Sequence, residues 1–195
     1  MKSGRPRTFD TEKALDRAMY TFWRKGYYGT SIPDLTRAMS ISRPSLYAAF
    51  GNKEALFAKV LDRYRSKPAA YLNEAIKEPT AKKVFEKLLL GAIDLQTDPA
   101  NPGGCLFVQG ALASGESNDA IRHELAARRA SGEATIKLRF EQAVSEGDLP
   151  VGTNPADLAK FAATVVHGLA VQTAGGDERE DLLHVADLAL RAFPN

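Results

Sequence analysis

Residues 30–57 read Thr-Ser-Ile-Pro-Asp-Leu-Thr-Arg-Ala-Met-Ser-Ile-Ser-Arg-Pro-Ser-Leu-Tyr-Ala-Ala-Phe-Gly-Asn-Lys-Glu-Ala-Leu-Phe, and this stretch decides the fold. Ser42 and Asn52 are residue types that favour the N-cap of a helix. Their spacing predicts two very short helices, a tight turn between them and the capped start of a third helix. Leu46 and Phe50 give the second short helix an apolar back face. A short helix anchored in this way presents its first turn outward, as in a helix-turn-helix.

The rest of the chain also has helical patterning, without sustained alternation of β-branched residues. Asp10 is the predicted N-cap of the first helix, and Pro68 should kink or break the helix that follows Asn52. The fold class is therefore all-α. A three-helix helix-turn-helix head, residues 1–51, is joined to a larger helical body, residues 52–195. The predicted helices of the body after Pro68 are 80–97, 104–114, 118–147, 155–174 and 178–193.

Composition and charge restrict the class of protein. No apolar run approaches the roughly 20 residues that span a bilayer, no secretory signal is visible, and the one cysteine cannot form an internal disulfide. We therefore expect a cytoplasmic protein without a membrane partner. Residues 1–67 hold 14 lysines and arginines against 6 acidic residues, whereas residues 68–195 hold 12 against 18. This asymmetry indicates that the N-terminal part meets a polyanion, although a solvated basic face is an equally open alternative.

The motif residues resemble the TetR family of one-component bacterial transcription regulators. The resemblance covers roughly residues 5–61 and is carried by many fixed spacings, namely Gly26, Thr30, Leu35, Ile41-Ser42-Arg43-Pro44-Ser45-Leu46-Tyr47, Phe50, Asn52-Lys53-Glu54 and Leu56. A weaker resemblance lies in Gly103-Gly104-Cys105-Leu106. The chain departs from the family at Ser40, where glycine is frequent, and at Ala49, where an aromatic residue or histidine is usual.

A helix-turn-helix of this kind binds double-stranded DNA, and its side chains divide into base contacts and phosphate contacts. Arg43 can form a bidentate bond to guanine, and Pro44 can pack on a thymine methyl. Tyr47 is expected to reach a phosphate, with a core tyrosine as the alternative, and Thr30 can act as a helix cap alone. The basic arm that contains Arg5 and Arg7 is either a DNA contact or a solvated tail. The full set of expected DNA contacts is Arg5, Arg7, Thr30, Ser31, Ser42, Arg43, Pro44, Ser45, Tyr47 and Lys53.

No catalytic or metal-binding set is visible in the sequence. The three histidines, His123, His167 and His184, are far apart and lack ligand spacing. We expect no enzyme activity, no metal and no cofactor. His167 is interpreted as a core or interface residue rather than a ligand contact. Cys105 is interpreted as a small buried hydrophobe, with a redox-sensing thiol at a helix start as the alternative.

The family resemblance implies a body that binds an effector and forms a homodimer. The expected partners are thus a palindromic DNA operator, a second copy of the chain and an unidentified small-molecule inducer that releases a repressor. The candidate pocket residues are Leu89, Leu106, Phe107, Phe140 and Phe161. The candidate dimer residues are Ala163, His167, Gly168, Leu182, Ala186 and Leu190. Two other classes stay open, namely a DNA-organising or activating protein with a packed body and no effector, and an all-helical enzyme.

Overall fold

The computed structural model describes residues 9–112 and 119–194. Within these ranges the chain forms ten α-helices and no strand, which confirms the all-α prediction. Where the described residues test them, the predicted bounds of the later helices agree with the observed ones to within two residues, whereas the predicted helix end at 114 and helix start at 118 lie outside the described residues. One short helix, α5, is not among the predicted ones. The helices are α1 Thr11–Lys25, α2 Ile32–Met39, α3 Arg43–Phe50, α4 Lys53–Ser66, α5 Tyr71–Ala75, α6 Ala81–Thr97, α7 Leu106–Leu112, α8 Asp119–Ser145, α9 Pro155–Gly175 and α10 Arg179–Ala192.

Side-chain caps begin each of the first four helices. The side chains of Asp10, Ser42 and Asn52 each accept a hydrogen bond from the backbone N–H three residues further on. Ser31 and Asp34 form a reciprocal capping box at the start of α2. These bonds satisfy N–H groups that a helix start leaves without partners. The caps predicted at Asp10, Ser42 and Asn52 are therefore confirmed.

Two apolar cores hold the chain together. The N-terminal core is formed by the buried side chains of α1–α4, together with Leu106, Ile121 and Leu125 from α7 and α8. The C-terminal core is formed by α5, α6, α8, α9 and α10. Although the predicted boundary after residue 51 assigns α4 to the body, α4 buries its apolar face in the N-terminal core.

The helix that starts at Lys53 is broken before Pro68, as its sequence predicts. α4 ends at Ser66, Lys67 leaves helical geometry with φ −122° and ψ −83°, and residues 68–70 form one 3-10 turn. Proline lacks the N–H that would continue the helical ladder, and its ring crowds the preceding turn. The head is therefore not joined to the C-terminal core by one continuous helix.

An aromatic junction instead packs the head against the start of α7. We use this name for Trp23, Tyr64 and Phe107, whose rings meet edge to face with centroid distances of 4.8 Å and 5.0 Å. The indole Nε1–H of Trp23 also donates to the carbonyl oxygen of Gly104 at 3.2 Å. Gly104 has φ +77°, and a Cβ there would lie 2.4 Å from the amide nitrogen of Gln109. The positive φ therefore favours glycine at this position, and a larger residue would also displace the Gln109 side chain.

Arg63 clamps α4 to α1. Its Nε and Nη2 atoms donate to the two carboxylate oxygens of Asp16 at 2.6 Å and 2.9 Å, and Nη1 donates to Glu12. The side chain of Arg63 is 12% exposed, so water screens this bidentate pair less than an open surface pair. Hydrogen bonding from Arg63 holds the pKa of Asp16 below its ordinary value.

Arg63→Met is expected to lower the free energy of unfolding by about 1–3 kcal/mol near neutral pH, because charged hydrogen bonds to Asp16 are lost. Because folding lowers the pKa of Asp16, its contribution is fully present above the unfolded value of about 3.9 and is lost as pH falls through the folded value. Urea unfolding of both proteins between pH 7 and pH 3 measures the difference. Lys77→Met, which removes an exposed pair with Glu74, is the control. An equal cost for both variants would contradict the clamp.

Candidate nucleic-acid interface and effector cavity

The helix-turn-helix is held from behind by buried apolar side chains of α2 and α3. Leu35, Leu46 and Phe50 are buried in the N-terminal core. Ser40 forms the turn in the left-handed conformation, with φ 58° and ψ 40°. Its hydroxyl accepts a hydrogen bond from Arg17 Nη1 at 3.0 Å. This bond ties the turn to α1 at the position where the family frequently uses glycine.

The outer face of α3 is open at its first turn. Arg43 and Pro44 are exposed, and Tyr47 is 40% exposed, which excludes the alternative of a core tyrosine. Arg43 Nη2 donates to the Tyr47 hydroxyl at 3.3 Å, and its guanidinium carbon lies 5.6 Å from the ring centroid. Ala48 is also exposed and is not among the expected contacts, although its place four residues after Pro44 puts it on the same face of α3. The outer face thus combines a fixed cation with small apolar surface.

The serines of the motif are engaged in capping. The Ser42 and Ser45 hydroxyl oxygens lie 2.8 Å apart at the start of α3. The Ser31 hydroxyl donates to Asp34, whose pKa is far below its ordinary value because of the Ser31 hydrogen bonds and the nearby Lys25. The carboxylate beside Ser31 carries negative charge, which opposes a phosphate at that hydroxyl. Ser42 and Ser45 are more favourable for a phosphate because the hydrogen bonds described for their hydroxyls join the two serines to each other and involve no carboxylate.

One expected DNA contact is buried inside the head, and two others lie outside the described residues. The prediction for Thr30 is wrong, because its side chain is fully buried and its hydroxyl donates to the carbonyl oxygen of Gly26 at 2.7 Å. That bond satisfies the hydroxyl within the loop between α1 and α2, and because the side chain is buried, the hydroxyl is not available to a DNA phosphate. The expected contacts Arg5 and Arg7 lie outside the described residues.

Lys53 has a partner inside the head. Its ammonium nitrogen lies 4.2 Å from the centroid of the Tyr27 ring, a cation–π contact. Partial burial lowers the pKa of Lys53, and burial raises the pKa of Tyr27 to about 12. The contact offsets the unfavourable position of a cation in the first turn of α4. Lys53 is therefore held at a fixed place beside the start of α4, whether or not a phosphate is present.

A cavity of about 70 Å³ lies among α6, α7, α8 and α9, next to the break after α4. Of the five candidate pocket residues, Phe107 lines it and the other four do not. Leu89, Leu106 and Phe140 are buried in the two cores, and Phe161 lies at the surface of α9. The larger apolar side chains that line the cavity are Tyr71, Leu72, Leu88, Phe107, Ile136 and Val166.

The cavity also has a polar wall that contains His167 and Cys105. His167 was expected in a core or dimer interface, but it lines the cavity. Burial is the main cause that lowers the pKa of its imidazole, and the nearby Arg129 adds to the effect. Burial raises the pKa of the Cys105 thiol, which disfavours a reactive thiolate. Sequence reasoning missed the cavity arginines because α8 has no single apolar face that would mark its inner side.

The candidate dimer residues separate into three environments. The prediction of a dimer contact is wrong for Leu182 and Ala186, because both side chains are buried in the C-terminal core. Ala163 lines the cavity with His167, and Leu190 packs half-buried against the C-terminal core. Gly168 is exposed, and a Cβ built on it meets nothing within 4 Å. Gly168 belongs to what we call the α9–α10 face, an exposed surface that includes the apolar side chains of Phe161, Val171, Val185 and Leu188.

Other chemistry was searched in the part of the chain that the structure describes. There, no group of three or more histidine, cysteine or acidic side chains is placed to hold a metal ion. In the same residues, every helix is too short or too polar to cross a membrane.

Comparison with known proteins identifies both parts of the chain. Residues 14–60 match the family described as bacterial regulatory proteins, tetR family. Residues 85–184 match the family described as the tetracyclin repressor-like C-terminal domain. The HTH-type transcriptional repressor ComR of Escherichia coli K12 is 32% identical over 98% of this chain and 92% of its own length.

Two solved structures extend this similarity. A cysteine mutant of the TetR family transcriptional regulator CifR, complexed with a 26-bp operator DNA, shares 41% identity and a TM-score of 0.93. The match covers 98% of this chain and 100% of that one. A putative TetR transcriptional regulator from Rhodococcus sp. RHA1 shares 45% identity over 95% of this chain and all of its own, with a TM-score of 0.63. The chain therefore belongs to the TetR family of bacterial transcriptional regulators.

Proposed function

We propose that the chain is a homodimeric repressor in the cytoplasm that binds a palindromic operator and is released by a small molecule in the cavity. The open first turn of α3, with Arg43 and Pro44 exposed above a buried back face, is the observation that carries this proposal. The similar regulators named above support it, since one is a transcriptional repressor and one is solved on operator DNA.

Arg43 reads bases in this proposal. A guanidinium at the exposed start of a short helix can enter the major groove and bind guanine O6 and N7 together. Its hydrogen bond to Tyr47 holds the side chain along the helix before DNA arrives, which reduces the entropy lost on binding. On DNA, Tyr47 can exchange this bond for a phosphate oxygen, and Pro44 and Ala48 offer apolar surface to thymine methyl groups.

Two copies of α3 are needed because one eight-residue helix reads only a few base pairs. The α9–α10 face supplies a surface for pairing, since its apolar side chains lie exposed in the single chain. Leu188 is 60% exposed and Val171 is 46% exposed. A self-complementary apolar surface of this kind favours a two-fold dimer, and a two-fold dimer matches a palindrome.

The aromatic junction gives the cavity a route to the head. Phe107 lines the cavity on one side and meets the Tyr64 ring on the other. Tyr64 lies on α4 and packs on Trp23 of α1, two helices of the head. A ligand that displaces Phe107 therefore acts on two helices of the head without needing a continuous helix. Release then requires that the ligand bind the non-operator head arrangement more tightly.

A DNA-organising protein without an effector is the alternative from a different class. It predicts a fully packed body, whereas this body holds a cavity whose polar wall includes Gln96 and His167. The cavity therefore favours an effector-responsive regulator over the alternative.

The test of the proposed function begins with selection of bound DNA from a random pool, which is expected to yield a palindrome. On that site, Arg43→Ala is expected to weaken binding by about 1–3 kcal/mol, because a bidentate base contact is lost. Fluorescence anisotropy measures the affinity and circular dichroism the melting temperature, which should change little. Arg179→Ala in α10 is the control. Sequences without two-fold symmetry would contradict the proposal, as would an Arg43 variant that binds like the wild type.

Lys53→Gln is expected to weaken binding to operator and to random DNA alike. Loss of one phosphate contact should lower the slope of log affinity against log salt by about 0.9. Titrations at several salt concentrations measure the slope, and Lys83→Gln on α6 is the control. An unchanged slope would show that Lys53 makes no phosphate contact and that its contact with Tyr27 is its only role here.

Gly168→Leu tests the dimer face. In the single chain the added side chain meets open space, and leucine favours a helix interior over glycine, so the monomer should not be destabilised. Across a close interface the same side chain should cost about 1–3 kcal/mol of dimer stability. Analytical ultracentrifugation is expected to show more monomer and anisotropy a weaker operator complex, while Ala126→Leu on α8 leaves both unchanged. An unaltered dimer would place the interface elsewhere.

A further inference from the structure

The polar groups on the cavity wall offer mainly hydrogen-bond donors. Gln96 is buried beside Thr173, whose hydroxyl donates to the carbonyl oxygen of Leu169 at 2.8 Å, so the Gln96 amide can offer a ligand either its donor or its acceptor end. Burial raises the pKa of the Tyr71 hydroxyl, which keeps its proton. The pKa of His167 is lowered, so its neutral ring keeps one N–H donor. Among the described residues, no acceptor is recorded for the Tyr71 hydroxyl or the His167 ring.

The charged side chains on the wall also favour a ligand that accepts hydrogen bonds. Three arginines line the cavity, and one of them, Arg128, is paired with Asp62 and with Glu124. Arg129 is different, because its Nη1 donates to the carbonyl oxygen of Phe107 at 2.6 Å and no described carboxylate lies within 4 Å of its guanidinium. Arg65, the third arginine, donates to the Ser131 hydroxyl at 3.1 Å. Glu133 also lines the cavity, but its carboxylate pairs with Lys160 at 2.8 Å. The wall therefore carries three guanidinium groups against one carboxylate and is net positive.

Arg129 is central to this donor-rich wall. Burial has the largest effect on the pKa of both His167 and Cys105, and the charge of the nearby Arg129 adds a smaller lowering to each. The opposite wall is apolar and is formed by Leu88, Ile136 and Val166. A ligand with one anionic acceptor end and one apolar end matches this division. A cationic ligand is opposed by the field of Arg129.

The size of the cavity limits the ligand. Its volume of about 70 Å³ is well below that of a drug-sized pocket, so the cavity favours a small molecule.

We propose that the cavity binds a small monocarboxylate, whose carboxylate is bound by Arg129 with help from His167 and Tyr71, and whose short apolar tail lies against Leu88 and Ile136. The inference rests on the proposed function, in which the cavity receives the effector, and it names the chemical class of that effector. A guanidinium and a carboxylate form a charge-assisted pair that is stronger inside a largely apolar cavity than in water.

The test is isothermal titration calorimetry of the full chain with butyrate, butyramide and butylamine, which share a tail length and differ in the polar group. Butyrate is expected to bind at least about tenfold more tightly than butyramide, because the amide lacks the charge, and butylamine should bind most weakly. Straight-chain acids from acetate to octanoate define the length limit. Equal affinities for butyrate and butyramide, or no binding by any acid of the series, would overturn the inference.

The residue assignment is tested with Arg129→Gln and the neighbouring Arg128→Gln. Arg129→Gln is expected to lower butyrate affinity about 10- to 100-fold and to remove the preference over butyramide. Arg128→Gln should retain the preference, because Arg128 already has two carboxylate partners. Because Arg129 also bonds to Phe107, Arg129→Lys is included, and it should keep more of the preference than the glutamine variant. A full preference in Arg129→Gln would overturn the assignment.

Operator binding separates this inference from the proposed function. Butyrate that binds with the expected preference but leaves operator affinity unchanged would support the ligand class and contradict release by the cavity ligand. A neutral compound that releases the operator, in a protein that shows no preference for butyrate, would support the proposed function and overturn the carboxylate inference.

Discussion

The aromatic junction is the contact on which the arrangement of the molecule depends. Tyr64 is fully buried between Trp23 and Phe107, and these three rings come from α1, α4 and α7. Aromatic rings prefer edge-to-face or offset arrangements, so this packing favours one relative placement of the three helices. The junction is therefore one place where a change in the cavity can reach α1 and α4, beside the direct contact of Arg65 on α4 with the cavity.

The motif could be predicted from the sequence because local rules decide it. N-caps, a proline in the first turn and the spacing of Leu46 and Phe50 act within a few residues of each other. Long-range packing decides which residues line the cavity, and of the five residues predicted from the sequence only Phe107 does so. Leu88 and Leu89 are adjacent and equally apolar, yet Leu88 lines the cavity whereas Leu89 does not. Helical periodicity gives an apolar stripe, but it does not say which neighbouring helix covers each position.

The roles of polar residues are also difficult to predict from the local sequence. Thr30 stands where a cap or a phosphate contact is plausible, but the Gly26 carbonyl takes its hydroxyl. Ser40 occupies a left-handed turn that favours glycine, and a hydrogen bond from Arg17, 23 residues earlier, supports it there. In both cases a neighbour that the local pattern does not reveal decides the role of the hydroxyl group.

The same reasoning explains how a small ligand can have a large effect in this chain. A ligand shifts an equilibrium only by its difference in affinity for two states. Arg129 supplies such a difference, because its guanidinium binds the carbonyl oxygen of Phe107, a residue that also packs on Tyr64. In the proposed mechanism, an anion at Arg129 would compete for the guanidinium that holds the start of α7. Ligand recognition would then be coupled to the position of the aromatic junction through one side chain, without a continuous helix across Pro68.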